Sequence, residues 1–224
     1  MRLLFLSNTR GNSNQEVFSR IGLWLPENAQ IGYIPSAPDP ARGHFKEVET
    51  FFRDVSPSFK LGYIDIHNER EKPTHLEWRL RKCDAVYLSG GNTFHFLKAI
   101  RDSRMGLILK SLAGEKVFIG TSAGGLIMTP NIGLASGEND IGLENTKGLA
   151  LVRFGFYPHF NPENSDQLRE IKSYLSEMSE IYALPEFSGL AVTEIEIIPL
   201  GSVYRFTKDI KEYEIIRSPI RTVP

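Results

Sequence analysis

The sequence predicts an α/β protein whose mainly parallel sheet is sandwiched by helices, with antiparallel strands toward the C-terminus. Three observations predict it. Short apolar runs recur and end in glycine or polar residues, as buried strands do. Segments with helical spacing of apolar residues lie between them. The last third loses that alternation and becomes a series of apolar runs joined by tight turns.

The elements follow in order. Leu3–Leu6 is the first strand, running directly into Ser7-Asn8. Gln30–Ile34 is the second, closed by Pro35, and Leu61–Ile66 is the third. Phe45–Val55 lies between these two as a helix, with Val48, Phe51, Phe52 and Val55 three or four apart. Ala85–Leu88 is a strand closed by Ser89-Gly90-Gly91, and Thr93–Ile100 reads as the helix after it. Leu107–Leu112 is helical up to Gly114, a natural stop. Val117–Ile119 is the next strand, closed by Gly120. Asn164–Met178 is an amphipathic helix, with Leu168, Ile171, Leu175 and Met178 on one side. Ile181–Leu184, Leu190–Ile198, Ser202–Phe206 and Glu212–Ile216 read as strands of an antiparallel extension of the sheet.

Composition bounds the function. The 224 residues fit one domain, 1–224, with no repeat, low-complexity tract or linker. Basic and acidic side chains number 26 and 27, which gives no support to a nucleic-acid binder. The single cysteine, Cys83, excludes an internal disulfide and a cysteine-only zinc site, and its place before a strand suggests a buried structural thiol. No apolar run approaches the roughly 18 residues that span a bilayer. The N-terminal apolar run is too short for the core of a signal peptide. A cytoplasmic protein without membrane contact is expected.

The chemistry concentrates in Gly120-Thr121-Ser122-Ala123-Gly124-Gly125. This is G-x-S-x-G with a strand entering and an apolar, helix-like run leaving, the setting of a nucleophile elbow. A sharp turn lifts the serine hydroxyl above the sheet, and the crowded backbone demands small neighbours. The Ala123 amide, at the start of the following helix, is placed to stabilise an oxyanion. Ser89-Gly90-Gly91-Asn92-Thr93 also joins a strand to a helix, so the Gly91 amide is a second candidate donor, with Asn92 or Thr93 as helix cap. Parallel strands place both loops at the carboxyl edge of the sheet. Without that elbow, the same residues would read as a glycine-rich turn or a phosphate cradle.

A serine nucleophile needs a base. Of His44, His67, His75, His95 and His159, the last stands out. It lies in Tyr157-Pro158-His159-Phe160-Asn161-Pro162, where two prolines stiffen an aromatic-flanked loop. The base in turn needs an orienting carboxylate. Glu186, directly after an apolar strand, and Asp140, in a polar loop between serine and histidine, both qualify, and position alone leaves the choice open.

Taken together, Gly91-Asn92-Thr93-Phe94, Gly120-Thr121-Ser122-Ala123-Gly124, Tyr157-Pro158-His159-Phe160 and Leu184-Pro185-Glu186 resemble the peptidase E family of serine peptidases, the aspartyl dipeptidases and their relatives. The resemblance runs from Leu4-Phe5-Leu6-Ser7-Asn8 to the Leu-Pro-Glu segment. It implies a class I glutamine amidotransferase-like fold and a cofactor-free, metal-free serine peptidase of short peptides. Ser122 would be the nucleophile, His159 the base, Glu186 the third member with Asp140 as the alternative, and Gly91 and Ala123 the oxyanion donors. Asn92 and Ser165 are the substrate-binding candidates.

Two departures matter. The aspartyl dipeptidases carry Asn-Pro-His-Phe where this chain has Tyr157-Pro158-His159-Phe160. Their substrate-pairing arginine, counted back without a gap from Leu184-Pro185-Glu186, falls on Ser165, with Arg169 one helical turn later. Losing that guanidinium removes a charge-assisted contact to an aspartate. Strict specificity for N-terminal Asp is therefore not expected. A serine esterase with the order Ser122, Asp140, His159, a cyanophycin-type peptide hydrolase, and a non-catalytic binding protein on the same fold are the alternatives. An amidotransferase is disfavoured because the elbow carries serine in place of cysteine. A monomer and a homodimer are equally compatible with the sequence.

Overall fold

Alternation in the first strand organises the molecule. In β1 (Arg2–Leu6), Leu3 and Phe5 face one side and Leu4 and Leu6 the other, and all four are fully buried. Such a strand must be covered on both faces. The computed structural model describes residues 1–68, 70–209 and 213–217. In it, Leu4 and Leu6 pack with Val17 and Ile21 of α1 (Gln15–Trp24) and with Phe51 and Phe52 of α2 (Gly43–Val55). Leu3 and Phe5 belong to a larger cluster on the opposite face.

Five parallel strands, running in from one edge, make up most of a seven-stranded sheet. They are β1, β2 (Gln30–Ile34), β3 (Lys60–Tyr63), β4 (Ala85–Leu88) and β5 (Val117–Thr121). Two antiparallel strands, β6 (Gly189–Thr193) and β7 (Ile197–Leu200), complete it beside β1. The spatial order is β3-β2-β4-β5-β1-β6-β7. The helices α3 (Pro73–Arg81), α4 (Thr93–Asp102), α5 (Gly106–Ala113) and α6 (Ala123–Met128) contribute to the larger cluster.

A second, four-stranded sheet holds β8 (Gly155–Pro158), β9 (Glu180–Leu184), β10 (Ser202–Thr207) and β11 (Glu214–Arg217), in the order β11-β10-β9-β8. β8 and β9 are parallel and are joined through α7 (Ser165–Tyr174). Phe156 of β8, Tyr182 of β9 and Phe206 of β10 enter the same cluster as Leu3 and Phe5. The Phe5 ring lies 5.3 Å from that of Phe156 and 5.5 Å from that of Phe154. Phe5 therefore ties the two sheets together, and truncating such a core phenylalanine costs about 3–5 kcal/mol.

The structure revises several sequence expectations. The C-terminal strands do not all extend the main sheet, since only Gly189–Thr193 and Ile197–Leu200 do so. Leu190–Ile198 is not one strand. Thr193 Oγ1 accepts from the N–H groups of Ile195 and Glu196, which turns the chain and exposes Ile195. The third strand stops at Tyr63, because Asp65 accepts from the His67 N–H and curls the chain away. Helices α1 and α3 add to the elements that the sequence predicts. Glu212, the expected start of the last strand, lies outside the described residues, and the strand there runs Glu214–Arg217. Cys83 is free and buried as expected, and burial pushes its thiol pKa up.

Candidate active site

The carboxyl ends of β1, β4 and β5 converge where a parallel sheet places its sites. Ser122 sits between β5 and α6 with φ 48° and ψ −111°, a conformation that L-residues rarely adopt. The turn is possible because its neighbours are small. A Cβ on Gly120 would come within 2.6 Å of the Gly124 carbonyl oxygen. One on Gly124 would overlap the Leu88 carbonyl, and one on Gly125 would reach 2.5 Å from the Phe156 ring. The Ser122 N–H donates to the Leu6 carbonyl at 2.9 Å, which pins the elbow to β1.

His159 follows β8, and its Nε2 lies 2.9 Å from Ser122 Oγ. Its Nδ1 lies 2.6 Å from Glu186 Oε1. With the carboxylate accepting at Nδ1–H, Nε2 is left to accept from the serine hydroxyl. The pair is about half exposed, so a ligand can approach it. The backbone of His159 is also left-handed, at φ 58°. It is braced by Gln167 at the start of α7, whose amide donates to the His159 carbonyl and accepts from the Asn161 N–H. Tyr157 donates to Glu170 on the same helix, and burial, with that carboxylate, pushes the Tyr157 pKa up.

Asp140 lies elsewhere. Its Oδ1 is 2.8 Å from His95 Nε2, near the start of α4. The sequence could not separate the two carboxylates, and the structure brings Glu186, not Asp140, to His159. The remaining histidines also have other surroundings. His67 Nε2 faces the Pro35 carbonyl, His75 pairs with Glu71, and His44 is exposed on α2 near Glu47.

Gly91 has φ 135°, and Ser36 Oγ fills the space where its Cβ would stand. That hydroxyl donates to the Gly90 carbonyl at 2.6 Å. Gly90 in turn packs against Ser122, its virtual Cβ 3.7 Å from the serine Cβ. Ala123 opens α6, so its N–H has no carbonyl four residues back within the helix. Asn92 is engaged at both ends. Its Oδ1 caps α4 by accepting from the Phe94 and His95 N–H groups, and its Nδ2 donates to the Glu138 carbonyl. It therefore holds the Gly137–Asp140 loop against α4. Ser165 is exposed at the first position of α7 and does not line the cleft over Ser122. Arg169 is paired with Asp166 on the same helix.

The cleft over Ser122 encloses about 390 Å³, with walls that include Arg10, Tyr33, Asp39, His44 and Glu47. A larger cavity of about 740 Å³ shares its Ser36–Pro38 wall but does not include Ser122. Ser122 and His159 both line the smaller one. Sequence reading missed Ser7, Asn8, Ser36 and Gln167, which hydrogen-bond the loops that carry His159, Glu186 and Gly91. For Ser7 and Asn8 a signal existed, because both are polar residues immediately after a buried strand at the edge where sites form.

No group of three or more His, Cys, Asp or Glu among the described residues could hold a metal ion. No helix among them is long and apolar enough to cross a membrane. A serine on a strand–turn–helix elbow, in line with histidine and glutamate, is the arrangement of serine hydrolases.

The chain belongs to peptidase family S51, whose model matches residues 3–199. It is 26% identical over 231 residues to peptidase E of Nostoc sp. PCC 7120, covering 95% of this chain and 92% of that one. It is 33% identical over 126 residues to an uncharacterized peptidase of Listeria monocytogenes, covering 54% of this chain. That alignment spans 62% of the relative's own length. Among solved structures, a Listeria monocytogenes EGD-e protein provisionally named peptidase E superposes with a TM-score of 0.68 at 26% identity. The match covers 88% of this chain and 96% of that one. The shared architecture is the class I glutamine amidotransferase-like fold.

Proposed function

We propose that this chain is a serine peptidase that hydrolyses short peptides, as a dipeptidase-like exopeptidase, through Ser122, His159 and Glu186. One observation carries the reading: the unbroken line from Ser122 Oγ to His159 Nε2 at 2.9 Å and from His159 Nδ1 to Glu186 Oε1 at 2.6 Å. Ser122 Oγ attacks the peptide carbonyl carbon while its proton passes to His159 Nε2. Glu186 holds the imidazole in the tautomer that can accept and stabilises the cation that forms. The oxyanion is taken by the Gly91 and Ala123 amides. The Ser122 amide is already bonded to Leu6, so the donors must come from these neighbours. His159 then protonates the departing amine, the C–N bond breaks, and water hydrolyses the acyl-enzyme.

The reading extends to specificity. Ser165 offers no cation to a substrate carboxylate, and Arg169 is held by Asp166. Arg10, which does line the cleft, stands 3.7 Å from Glu47, so an N-terminal aspartate is not strictly required. The test is cleavage of a dipeptide and tripeptide library, Asp-X members included, by the wild type and Ser122→Ala. Broad cleavage that disappears in Ser122→Ala is expected, with kcat down by at least about 10⁴-fold. Cleavage confined to Asp-X would overturn the specificity. Turnover unchanged in Ser122→Ala would overturn the mechanism, and cleavage of no peptide beside hydrolysis of a parallel ester panel would make the protein an esterase.

A further inference from the structure

The last residue of β1 and the two that follow it hydrogen-bond the backbone of Ser122, of His159 and of the residue after Glu186. The Leu6 carbonyl accepts from the Ser122 N–H at 2.9 Å. Ser7 Oγ accepts from the His159 N–H at 2.9 Å. Asn8 Oδ1 accepts from the N–H of Phe187, the residue after Glu186, at 2.8 Å. The Ser7 N–H donates to the Ser188 carbonyl at 3.1 Å, which closes the Glu186 turn onto the same strand end.

The three loops need such an anchor. Ser122, His159 and Phe187 all have positive φ, at 48°, 58° and 63°. None is glycine, so each conformation is strained and persists only where its surroundings impose it. Leu6, Ser7 and Asn8 supply that constraint. Ser7 is fully buried, and without its hydroxyl the His159 N–H would lose its partner. β1 lies between β5, which runs into Ser122, and β6, which follows Glu186, so its end stands beside both loops, and Ser7 reaches the third at His159.

We propose that Ser7 and Asn8 are positioning residues of the catalytic line, fixing the imidazole of His159 between Ser122 and Glu186 through backbone hydrogen bonds. Neither side chain is required to touch substrate. The proposal rests on the peptidase reading given above. A misplacement of about 1 Å in such a line can cost on the order of 10²-fold in rate.

The experiment compares wild type, Ser7→Ala, Asn8→Ala and Asn8→Asp by peptide kinetics, fluorophosphonate titration of active sites, and ¹⁵N NMR of histidine-labelled protein. His159→Gln assigns the His159 signals. In Ser7→Ala and Asn8→Ala, kcat per titrated site should fall about 10–100-fold while KM moves less than about threefold. The His159 ring nitrogens should shift from one dominant tautomer toward a mixture. Asn8→Asp keeps the accepting oxygen and should restore kcat to within a few-fold, on the order of wild type. Wild-type kcat per site and wild-type His159 shifts in both alanine variants would overturn the proposal. So would a loss of activity accounted for entirely by fewer titratable sites, which is what a merely structural role produces. Should Ser7→Ala fail to fold, the half-buried Asn8 still decides the question. Should the wild type cleave no peptide, the functional reading falls, and the His159 nitrogen shifts still decide the anchoring.

Discussion

His159 Nδ1 and Glu186 Oε1 stand 2.6 Å apart, although 27 residues separate them in the chain. α7 and β9 lie between them in sequence, and the parallel pairing of β8 with β9 returns the second loop to the first. Pro158 pairs with Leu184 in that register, so His159 and the Pro185-Glu186 segment leave the sheet side by side.

On the proposed mechanism, Glu186→Gln keeps the shape of the site but lets the amide hold the wrong imidazole tautomer. kcat should fall roughly 10³–10⁴-fold. Asp140→Asn should change kcat by no more than about threefold, because Asp140 pairs with His95. Steady-state kinetics of the two variants on one cleaved peptide checks this. The reverse ranking would transfer the orienting role to Asp140.

The elbow tolerates no Cβ at Gly124, since the obstructing atom is the Leu88 carbonyl of a central strand. Gly124→Ala should cost about 1–3 kcal/mol in urea unfolding and slow fluorophosphonate labelling of Ser122. Gly22→Ala, within α1 with nothing near its virtual Cβ, should instead stabilise by about 0.5–1 kcal/mol. Equal effects from the two substitutions would argue against the crowding.

Asp39 caps α2 from three residues before Arg42, accepting from the Gly43 and Phe45 N–H groups. Burial pushes its carboxyl pKa up, but those N–H groups and nearby His44 outweigh it and hold the pKa below the ordinary value. A depressed carboxylate contributes stability above its unfolded pKa and loses it as pH falls through the folded value. Asp39→Ala should therefore destabilise by about 0.5–2 kcal/mol at neutral pH. The difference from wild type should shrink in acid, below the depressed pKa. Urea midpoints at the two pH values test the sign. A difference that holds or grows in acid contradicts it.

Cys83 is buried, and its thiol donates toward the Arg79 carbonyl at 3.5 Å. Burial raises its pKa more than the nearby Lys116 and Arg79 lower it. The thiolate is the reactive form, so native protein at mildly alkaline pH should react slowly with a disulfide reagent. The same sample in guanidinium should release one equivalent of thiolate rapidly. Fast reaction in the folded state would place Cys83 at the surface.

Local chemistry made much of the fold readable. β1, β2, β4 and β5 are continuous apolar runs because both faces of the sheet are covered, and a continuous run ended by turn residues needs no distant information. The third strand and the C-terminal hairpin were misread because their ends are set by side-chain turns at Asp65 and Thr193, which apolar patterning does not register. The second sheet has no local signature for another reason. Whether a strand joins one sheet or another depends on partners such as Phe5 and Phe156, which lie far apart in sequence.

The sequence by itself determined the elbow at Ser122, since strand, glycines and helix lie within about a dozen residues and steric crowding is a local property. It also singled out His159, in a loop stiffened by two prolines. Only the tertiary structure decided the rest. It set Glu186 beside His159 and Asp140 beside His95. It tied Asn92 to the Glu138 carbonyl at the edge of the cleft and left Ser165 outside it. It also brought Ser7 to a histidine 152 residues away and Asn8 to a turn 179 residues away. Hydrogen bonds between such distant residues have no period or spacing in the chain. They exist because a central strand ends where the loops of its neighbours begin.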